Sequence, residues 1–136
     1  MKLNDEINKA FELAKEVRLR AHAPYSNFLV GTAIKLKDSD DIFSGCNVEN
    51  ISYGATICAE RVCTQNIVAT KGKVPFEFMV VVTQTEEPTS CCGMCLQVLS
   101  EFVDADFPIY FGNLKEIKFC KSFSELFPTV ISTLKD

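Results

Sequence analysis

An α/β sandwich is the fold class that the order of elements in this sequence predicts. One amphipathic segment comes first, two apolar segments joined by a polar turn follow it, and the second half alternates apolar runs with helical patterns. Strands in such an order form a sheet whose faces are covered by helices. The length of 136 residues is that of one domain, so we expect a single domain over residues 1–136.

The first helix is expected from about residue 4 to residue 22, because its apolar residues recur at helical spacing. They are Ile7, Ala10, Phe11, Ala14, Val17 and Ala21. The outer face is expected to carry Lys9, Glu12, Lys15, Glu16 and Arg18. Asn4 or Asp5 can cap this helix, and Pro24 stops it. The single histidine, His22, is expected at its end in a solvated or dipole-facing position rather than a catalytic one.

Two strands are predicted next, at residues 28–36 and 42–46, on either side of a polar hairpin loop. Gly31 indicates that another element approaches the backbone closely. The loop at residues 47–50 carries Asn47 and Glu49, whose spacing alone favours a solvated turn. Phe28, taken by itself, has the character of a core residue.

The second half is predicted to alternate helices with strands. Helices are expected at about 57–71 and 93–103, and the first of them stops at Gly72. The continuous apolar run at 78–82 is typical of a central strand covered on both faces. Short strands are expected at 107–111 and 117–120, and a short terminal helix is expected with Ser122 as its cap.

Composition excludes several classes of function. The net charge of −4 and the lack of a basic cluster argue against nucleic acid as a partner, and a small, nearly neutral substrate fits better. No apolar run is long enough for a membrane span or a signal peptide. The seven cysteines are odd in number, so reduced thiols in the cytoplasm are the better interpretation than a disulfide scaffold.

Two cysteine-containing stretches, Cys58-Ala59-Glu60 and Cys92-Gly93-Met94-Cys95, carry the chemistry. A lone Cys-x-x-Cys is a redox pair, half of a zinc site or a coincidence, and a redox pair leaves Cys58 and Glu60 unexplained. Three thiolates can occupy three corners of a tetrahedral Zn²⁺, one per chain, and leave the fourth for water. Glu60 follows its cysteine by two residues, as the proton-transferring glutamate does in zinc deaminases.

Five segments occur in the order seen in cytidine deaminases, the small homotetrameric enzymes of nucleoside salvage, which this chain resembles over nearly its whole length. The segments are Ala23-Pro24-Tyr25-Ser26, Phe28-Leu29-Val30-Gly31, Gly45-Cys46-Asn47-Val48-Glu49-Asn50, Cys58-Ala59-Glu60-Arg61 and Cys92-Gly93-Met94-Cys95-Leu96-Gln97-Val98. The resemblance implies a three-layer α/β/α sandwich with a mixed five-stranded sheet. It implies hydrolytic deamination of cytidine and deoxycytidine, in a homotetramer with shared active sites.

The same resemblance implies a role for each site residue. Cys58, Cys92 and Cys95 would hold the zinc, and Glu60 would shuttle protons. The backbone N–H of Ala59 would hold the pyrimidine O2, and Phe28 would pack against the nucleoside. Asn47 and Glu49 would bind the ribose, which overturns the solvated-turn interpretation. Arg61 would lie beside the sulfurs, although without the resemblance an exposed helix position is equally plausible for it.

Three positions depart from the family pattern. Cys91 stands where the family has proline, and Leu96 stands where it usually has arginine. Thr129-Val130-Ile131 follows Leu126-Phe127-Pro128, where relatives carry an aromatic residue that reaches a neighbouring subunit. Two alternatives therefore stay open. One is a related deaminase for a blasticidin-type antibiotic or a modified cytosine, and the other is a non-catalytic, zinc-stabilised binding protein.

Overall fold

The computed structural model describes residues 1–132 and contains one sheet flanked by helices. The helices are α1 (Asp5–Arg18), α2 (Ala59–Lys71), α3 (Gly93–Leu99) and α4 (Phe123–Leu126), with a 3₁₀ turn at Tyr53–Ala55. The strands are β1 (Gly31–Leu36), β2 (Ile42–Cys46), β3 (Phe76–Val82), β4 (Pro108–Gly112) and β5 (Ile117–Ser122). Within residues 1–132, no helix has the length and apolar character needed to cross a bilayer.

The five strands form one mixed sheet in the order β2-β1-β3-β4-β5. Strand β3 lies at the centre, antiparallel to β1 and parallel to β4. The outer pairs β1–β2 and β4–β5 are antiparallel. Six of the seven residues of β3 are buried, which agrees with the prediction of a central strand covered on both faces.

Each face of the sheet has its own apolar core. Helix α1 covers one face, where Ala10 and Phe11 pack with Val80 of β3. Helices α2 and α3 cover the other face, where Ile67 and Leu99 pack with neighbouring strand residues. Helices on both faces of a central sheet give a three-layer α/β/α sandwich. Since α2 and α3 share one face, the two cysteine-containing stretches at their N-termini become neighbours.

Helix α1 begins as the sequence predicts but ends earlier. The Asn4 side chain accepts a hydrogen bond of 2.9 Å from the N–H of Ile7, which caps the first turn. The helix ends at Arg18 rather than near residue 22. His22 therefore lies in the following loop, where its N–H donates to the carbonyl of Asn47 at 3.1 Å. The prediction that Arg18 faces outward is wrong, because this residue is buried in the last helical turn.

Strand β1 begins at Gly31 and not at residue 28. Most backbone polar groups of residues 28–30 bond to side chains, whereas the Val30 carbonyl oxygen accepts from the backbone N–H of Asn47 at 3.3 Å. The expected close approach at Gly31 is confirmed: a Cβ at this position would lie 1.9 Å from the carbonyl oxygen of Ala14. Only glycine allows α1 to pack this closely on the strand.

The later elements differ from prediction mainly at their ends. Helix α3 stops at Leu99, and Phe102 and Val103 continue to pack against the core from a turn. On α2, Thr64 is buried and Asn66 is exposed. The predicted cap of α4 is confirmed, since Ser122 and Glu125 form a reciprocal capping box.

Candidate metal and catalytic centre

Three cysteine sulfurs converge where α2 and α3 begin. Cys58 is the N-cap residue of α2, Cys92 is the N-cap residue of α3, and Cys95 lies in the first turn of α3. The Sγ of Cys92 is 3.7 Å from that of Cys58 and 3.4 Å from that of Cys95. All three sulfurs lie within 4.8 Å of one another. We call this group the thiol cluster.

The thiol cluster fits a zinc ion. Zn–S bonds of about 2.3 Å in a tetrahedron place neighbouring sulfurs about 3.8 Å apart, close to the spacing found here. Thiolate is also a preferred donor of zinc, and three protein ligands leave one position for water, as in catalytic zinc sites. Cys58, Cys92 and Cys95 are therefore positioned to hold one metal ion, as the sequence predicted.

The surroundings of the thiol cluster favour the ionised form of Cys58. A hydrogen bond from the Cys95 thiol, and after it the guanidinium of Arg61, lower the pKa of Cys58 to about 5. The same hydrogen bond raises the pKa of Cys95, because the Cys95 thiol keeps its proton in order to donate it to Cys58. Metal binding requires that such protons leave. The start of α2 also favours a thiolate at Cys58, because a helix N-terminus carries positive potential.

Glu60 lies beside the thiol cluster in the first turn of α2, and only 5% of its surface is exposed. Burial raises the pKa of its carboxyl group, and the negative charge of Cys58 acts in the same direction. A raised pKa makes this carboxyl group easier to protonate than an exposed one, which suits it to proton transfer. Ala59, the first residue of α2, is fully buried next to it.

A cavity of about 320 Å³ opens over the thiol cluster and Glu60. Its volume lies within the range of small-molecule sites. Among the residues singled out from the sequence, seven line it: Phe28, Asn47, Glu49, Cys58, Ala59, Glu60 and Cys92. Cys95 and Arg61 are not among the residues that line it. The residues brought together here come from the segments around β1 and β2 and from the starts of α2 and α3.

The side chain of Asn47 holds the backbone of the segment that carries Phe28. Its Nδ2 donates to the carbonyl oxygen of Phe28 at 2.8 Å, and its Oδ1 accepts from the N–H of Val30 at 2.8 Å. Asn47 is buried, and Phe28 is half-buried in the cavity wall. Asn47 is therefore not the solvated turn residue that its spacing alone favours.

Glu49 organises the turn that precedes Phe28. One carboxylate oxygen accepts from the N–H of Tyr25 at 3.0 Å and from that of Ser26 at 3.2 Å, and the other accepts from the Ser26 hydroxyl. These hydrogen bonds, that of the Ser26 hydroxyl first, hold the pKa of Glu49 below its usual value. The residue therefore presents a fixed, ionised carboxylate to the cavity.

Sequence reasoning did not identify the other residues of the cavity wall. They are Ser26, Val30, Thr56, Val81, Thr83, Thr89 and Ser90. Ser26 and Val30 lie inside the segments that carry the family resemblance, which is the one signal that could have found them. Val81 and Thr83 reach the cavity through the register of β3, Thr89 and Ser90 through the course of the β3–α3 loop, and Thr56 through the turn before α2. Residue spacing does not encode these placements.

A sequence model of the family described as the cytidine and deoxycytidylate deaminase zinc-binding region matches residues 4–111. This chain belongs to that family. The matched range contains the whole thiol cluster, Glu60, and every residue of the cavity wall. It also contains all of β1, β2 and β3, so the family relation covers the scaffold as well as the centre.

Individual cytidine deaminases are similar to this chain over most of its length. The cytidine deaminase of Sporosarcina psychrophila is 41% identical over 110 residues, which are 81% of this chain and 79% of that relative. A probable cytidine deaminase of Dictyostelium discoideum is 36% identical over 129 residues, 94% of this chain and 85% of that one. A cytidine deaminase structure from Burkholderia pseudomallei has a TM-score of 0.84 at 35% identity, over 95% of this chain and 100% of that one. The predicted fold class is confirmed by this likeness.

The first departure from the deaminase-family pattern is Cys91, which lies outside the thiol cluster. Burial raises the pKa of its thiol, and the nearby negative charge of Glu60 adds to the effect. Cys91 is consequently a neutral thiol packed against the core, next in sequence to the ligand candidate Cys92.

The second departure leaves one guanidinium beside the sulfurs. Arg61 directs its Nη2 at the Sγ of Cys58, 3.6 Å away. Leu96, where the family usually has arginine, is 5% exposed and belongs to the apolar core. The Leu96 side chain therefore packs with apolar neighbours. The negative charge of the thiol cluster is offset by Arg61 of α2.

The third departure lies in the C-terminal segment. After α4, the chain runs against α3, where the Nε2 of Gln97 donates to the carbonyl oxygen of Ile131 at 3.2 Å. Val130 packs against the core at this point. The residues after 132 lie outside the described part of the chain.

Proposed function

We propose that this chain is a zinc-dependent hydrolase that converts cytidine and deoxycytidine, with water, into uridine or deoxyuridine and ammonia, as in pyrimidine salvage. The observation that carries the proposal is a buried carboxyl group, Glu60, beside three metal-directed thiols, of which those of Cys58 and Cys92 line the same cavity as Glu60. The names of the most similar relatives agree with this reaction. A binding protein would not need a carboxyl group with a raised pKa at that point.

Glu60 is the proton carrier in the proposed mechanism. Zinc, when bound, supplies a water of lowered pKa at the fourth position of its site. The Glu60 carboxylate takes a proton from the attacking water and passes it to ring N3 while C4 is attacked. The same carboxylate then takes the proton of the hydroxyl now attached to C4 and delivers it to the amino nitrogen, so that the C4 carbonyl forms as the C4–N bond breaks and ammonia leaves. Burial of Glu60 suits both transfers, because it raises the pKa of the carboxyl group and so makes the group easier to protonate.

Residues around the cavity would orient the nucleoside. The N–H of Ala59, at the start of α2, would donate to the pyrimidine O2, and the ring of Phe28 would pack against the base. Asn47 and Glu49 would bind the sugar hydroxyls. A primary amide has two N–H donors and a carboxylate about four acceptor sites, so both retain capacity beyond their present hydrogen bonds.

The cavity favours a nucleoside over a nucleotide. Its lining, as far as residues 1–132 describe it, contains no lysine, arginine or histidine to receive a phosphate. Glu49 contributes an ionised carboxylate to the same wall, which would repel a dianionic group. Deoxycytidylate, a substrate class in the family description, is therefore expected to be a poor substrate.

Ammonia release from a panel of substrates by the zinc-loaded protein tests the proposal. Cytidine and deoxycytidine should be turned over, with free cytosine at least 100-fold lower in kcat/KM because the sugar-binding groups would go unpaired. Equal kcat/KM for cytosine and cytidine would refute the roles of Asn47 and Glu49. A blasticidin-type nucleoside or a modified cytosine as the best substrate would favour the related-deaminase alternative, and no turnover of any compound would favour a binding protein.

We also propose a homotetramer in which neighbouring subunits complete each other's sites, in the cytoplasm. Exposed apolar side chains support an interface: Ile51 and Tyr53 are 79% and 78% exposed. They follow Glu49 and precede Thr56, which both line the cavity. Sedimentation equilibrium should give four times the mass of one chain, and the mass of a single chain would contradict the assembly.

The proposed cytoplasmic location is supported by the cysteines. All seven are free thiols, which suit a reducing compartment.

A further inference from the structure

The segment that carries Phe28 runs beside the end of β3 without being part of the sheet. Antiparallel pairing of β1 with β3 ends at Gly31 and Val82. Continuing that register would put Leu29 opposite Gln84. At this point the side chain of Gln84, rather than its backbone, meets the segment.

Arg18 and Gln84 together hold both backbone polar groups of Leu29. The Nε of Arg18 donates to the Leu29 carbonyl oxygen at 2.9 Å. The Nη2 of Arg18 donates to the Oε1 of Gln84 at 2.9 Å, and the same oxygen accepts from the Leu29 N–H at 3.4 Å. The three groups form a closed triangle between α1, the Phe28 segment and the residue after Thr83. We call this triangle the Leu29 clamp.

Asn47 holds the neighbouring backbone groups from the other side, at the Phe28 carbonyl and the Val30 N–H. Four consecutive backbone polar groups are thus bound by three side chains. Because these side chains come from three different parts of the chain, together they fix one position of Phe28 relative to the cavity.

We propose that Arg18 and Gln84 are positioning residues for substrate binding: the Leu29 clamp ties the Phe28 segment to the β3–α3 loop, which continues through Thr89 and Ser90 of the cavity wall to Cys92. The inference rests on the proposed function, in which Phe28 packs against the nucleoside.

The chemistry of the two side chains supports this role. Arg18 is 8% exposed, and a buried guanidinium is costly unless its N–H groups are hydrogen-bonded. Its hydrogen bonds to Leu29 and Gln84 are charge-assisted, which makes them stronger than neutral ones. Gln84 itself is exposed, so its contacts with Arg18 and Leu29 do not serve to fill a core.

Replacement of Gln84 tests the proposal, because an exposed side chain can be changed without opening the core. Gln84→Leu removes the shared acceptor and should raise KM for cytidine about tenfold, equivalent to about 1.4 kcal/mol of binding free energy. Its kcat and zinc content should stay within twofold of the wild type. Gln84→Glu keeps an acceptor for both Arg18 and Leu29 and should retain the wild-type KM.

Gln65→Leu is the matched control, since Gln65 is an exposed glutamine of α2 outside the cavity wall. It should leave KM unchanged. A KM for Gln84→Leu equal to that of Gln65→Leu would overturn the clamp while leaving the proposed function intact. An equal loss in Gln84→Glu would also overturn it, because hydrogen bonding would then not be the cause.

Amide hydrogen exchange gives a readout that does not depend on activity. In Gln84→Leu, the amides of Leu29 and Val30 should exchange at least tenfold faster, while those of α2 keep their wild-type rates. Unchanged exchange at Leu29 and Val30 would refute the clamp. If the wild-type protein releases no ammonia from cytidine, the proposed function fails and this measurement still decides whether the clamp exists.

Discussion

Arg61 shows how one side chain can set the charge of the thiol cluster. Three thiolates and a divalent ion carry one excess negative charge, and partial burial makes that charge costly. The guanidinium lies 3.6 Å from the Cys58 sulfur, so it can draw charge from one ligand. Contact with Cys58 also raises the pKa of Arg61, which keeps this residue cationic.

We therefore expect Arg61→Gln to weaken zinc retention about tenfold, a usual size for loss of a group that supports a metal ligand. The value of kcat should fall as well, since a less electrophilic metal lowers the pKa of its bound water less. Arg61→Lys keeps the positive charge but lacks the planar guanidinium, so its zinc affinity should lie between those of the wild type and Arg61→Gln. Competition with a zinc chelator measures the affinity. Wild-type zinc affinity in Arg61→Gln would mean that helix dipoles and backbone N–H groups suffice.

The identity of the third ligand is a second question at the residue scale, because Cys91 and Cys92 are adjacent. The Sγ of Cys92 lies 3.4 Å from the Sγ of Cys95, whereas Cys91 is a neutral thiol outside the thiol cluster. Cys92→Ala should lose its zinc, as should Cys58→Ala, and Cys91→Ala should keep one zinc per chain. Elemental analysis of the purified variants measures this. Full occupancy in Cys92→Ala would make Cys91 the ligand.

At the scale of elements, the close contact of α1 with β1 aligns the Leu29 clamp with the sheet. Gly31 permits that contact, because any Cβ there would lie 1.9 Å from the carbonyl oxygen of Ala14. Arg18, one turn later on α1, is thereby brought within reach of Leu29.

Gly31→Ala should lower the free energy of unfolding by about 2 kcal/mol, since the backbone of α1 must move to admit the methyl group. Urea denaturation measures the change. Gly54→Ala is the control, because nothing lies within 4 Å of a Cβ at that position, and it should change stability by less than about 0.5 kcal/mol. Equal effects of the two substitutions would contradict the close packing.

Element order and central positions were predictable from the sequence, but element ends were not. Hydrophobic spacing reports which side chains are buried, and it located β3, whereas the cap at Ser122 was predicted from residue type. It does not report which partner a backbone group takes. Strand β1 consequently begins three residues later than predicted, where Asn47 and Gln84 cease to hold the backbone. Arg18 was predicted to face the solvent because the residues that accept its hydrogen bonds, Leu29 and Gln84, are remote in sequence.

At the scale of the whole molecule, the fold brings together two stretches 34 residues apart by placing α2 and α3 on one face of the sheet. The fixed spacing of Cys58, Glu60, Cys92 and Cys95 allowed that centre to be predicted from the residues alone. Asn47 and Glu49 required the family resemblance, because their spacing is also that of a solvated turn. That residues 1–136 form one domain stays a prediction.

Glu60→Gln separates the proposed proton transfer from metal binding. Ammonia release from cytidine and zinc content are measured on the same preparations of wild type and Glu60→Gln. We expect one zinc per chain in both proteins, and a kcat that falls about 10³–10⁴-fold in the variant, because both proton transfers use this carboxyl group. Near-wild-type turnover by zinc-loaded Glu60→Gln would show that Glu60 is not the proton carrier.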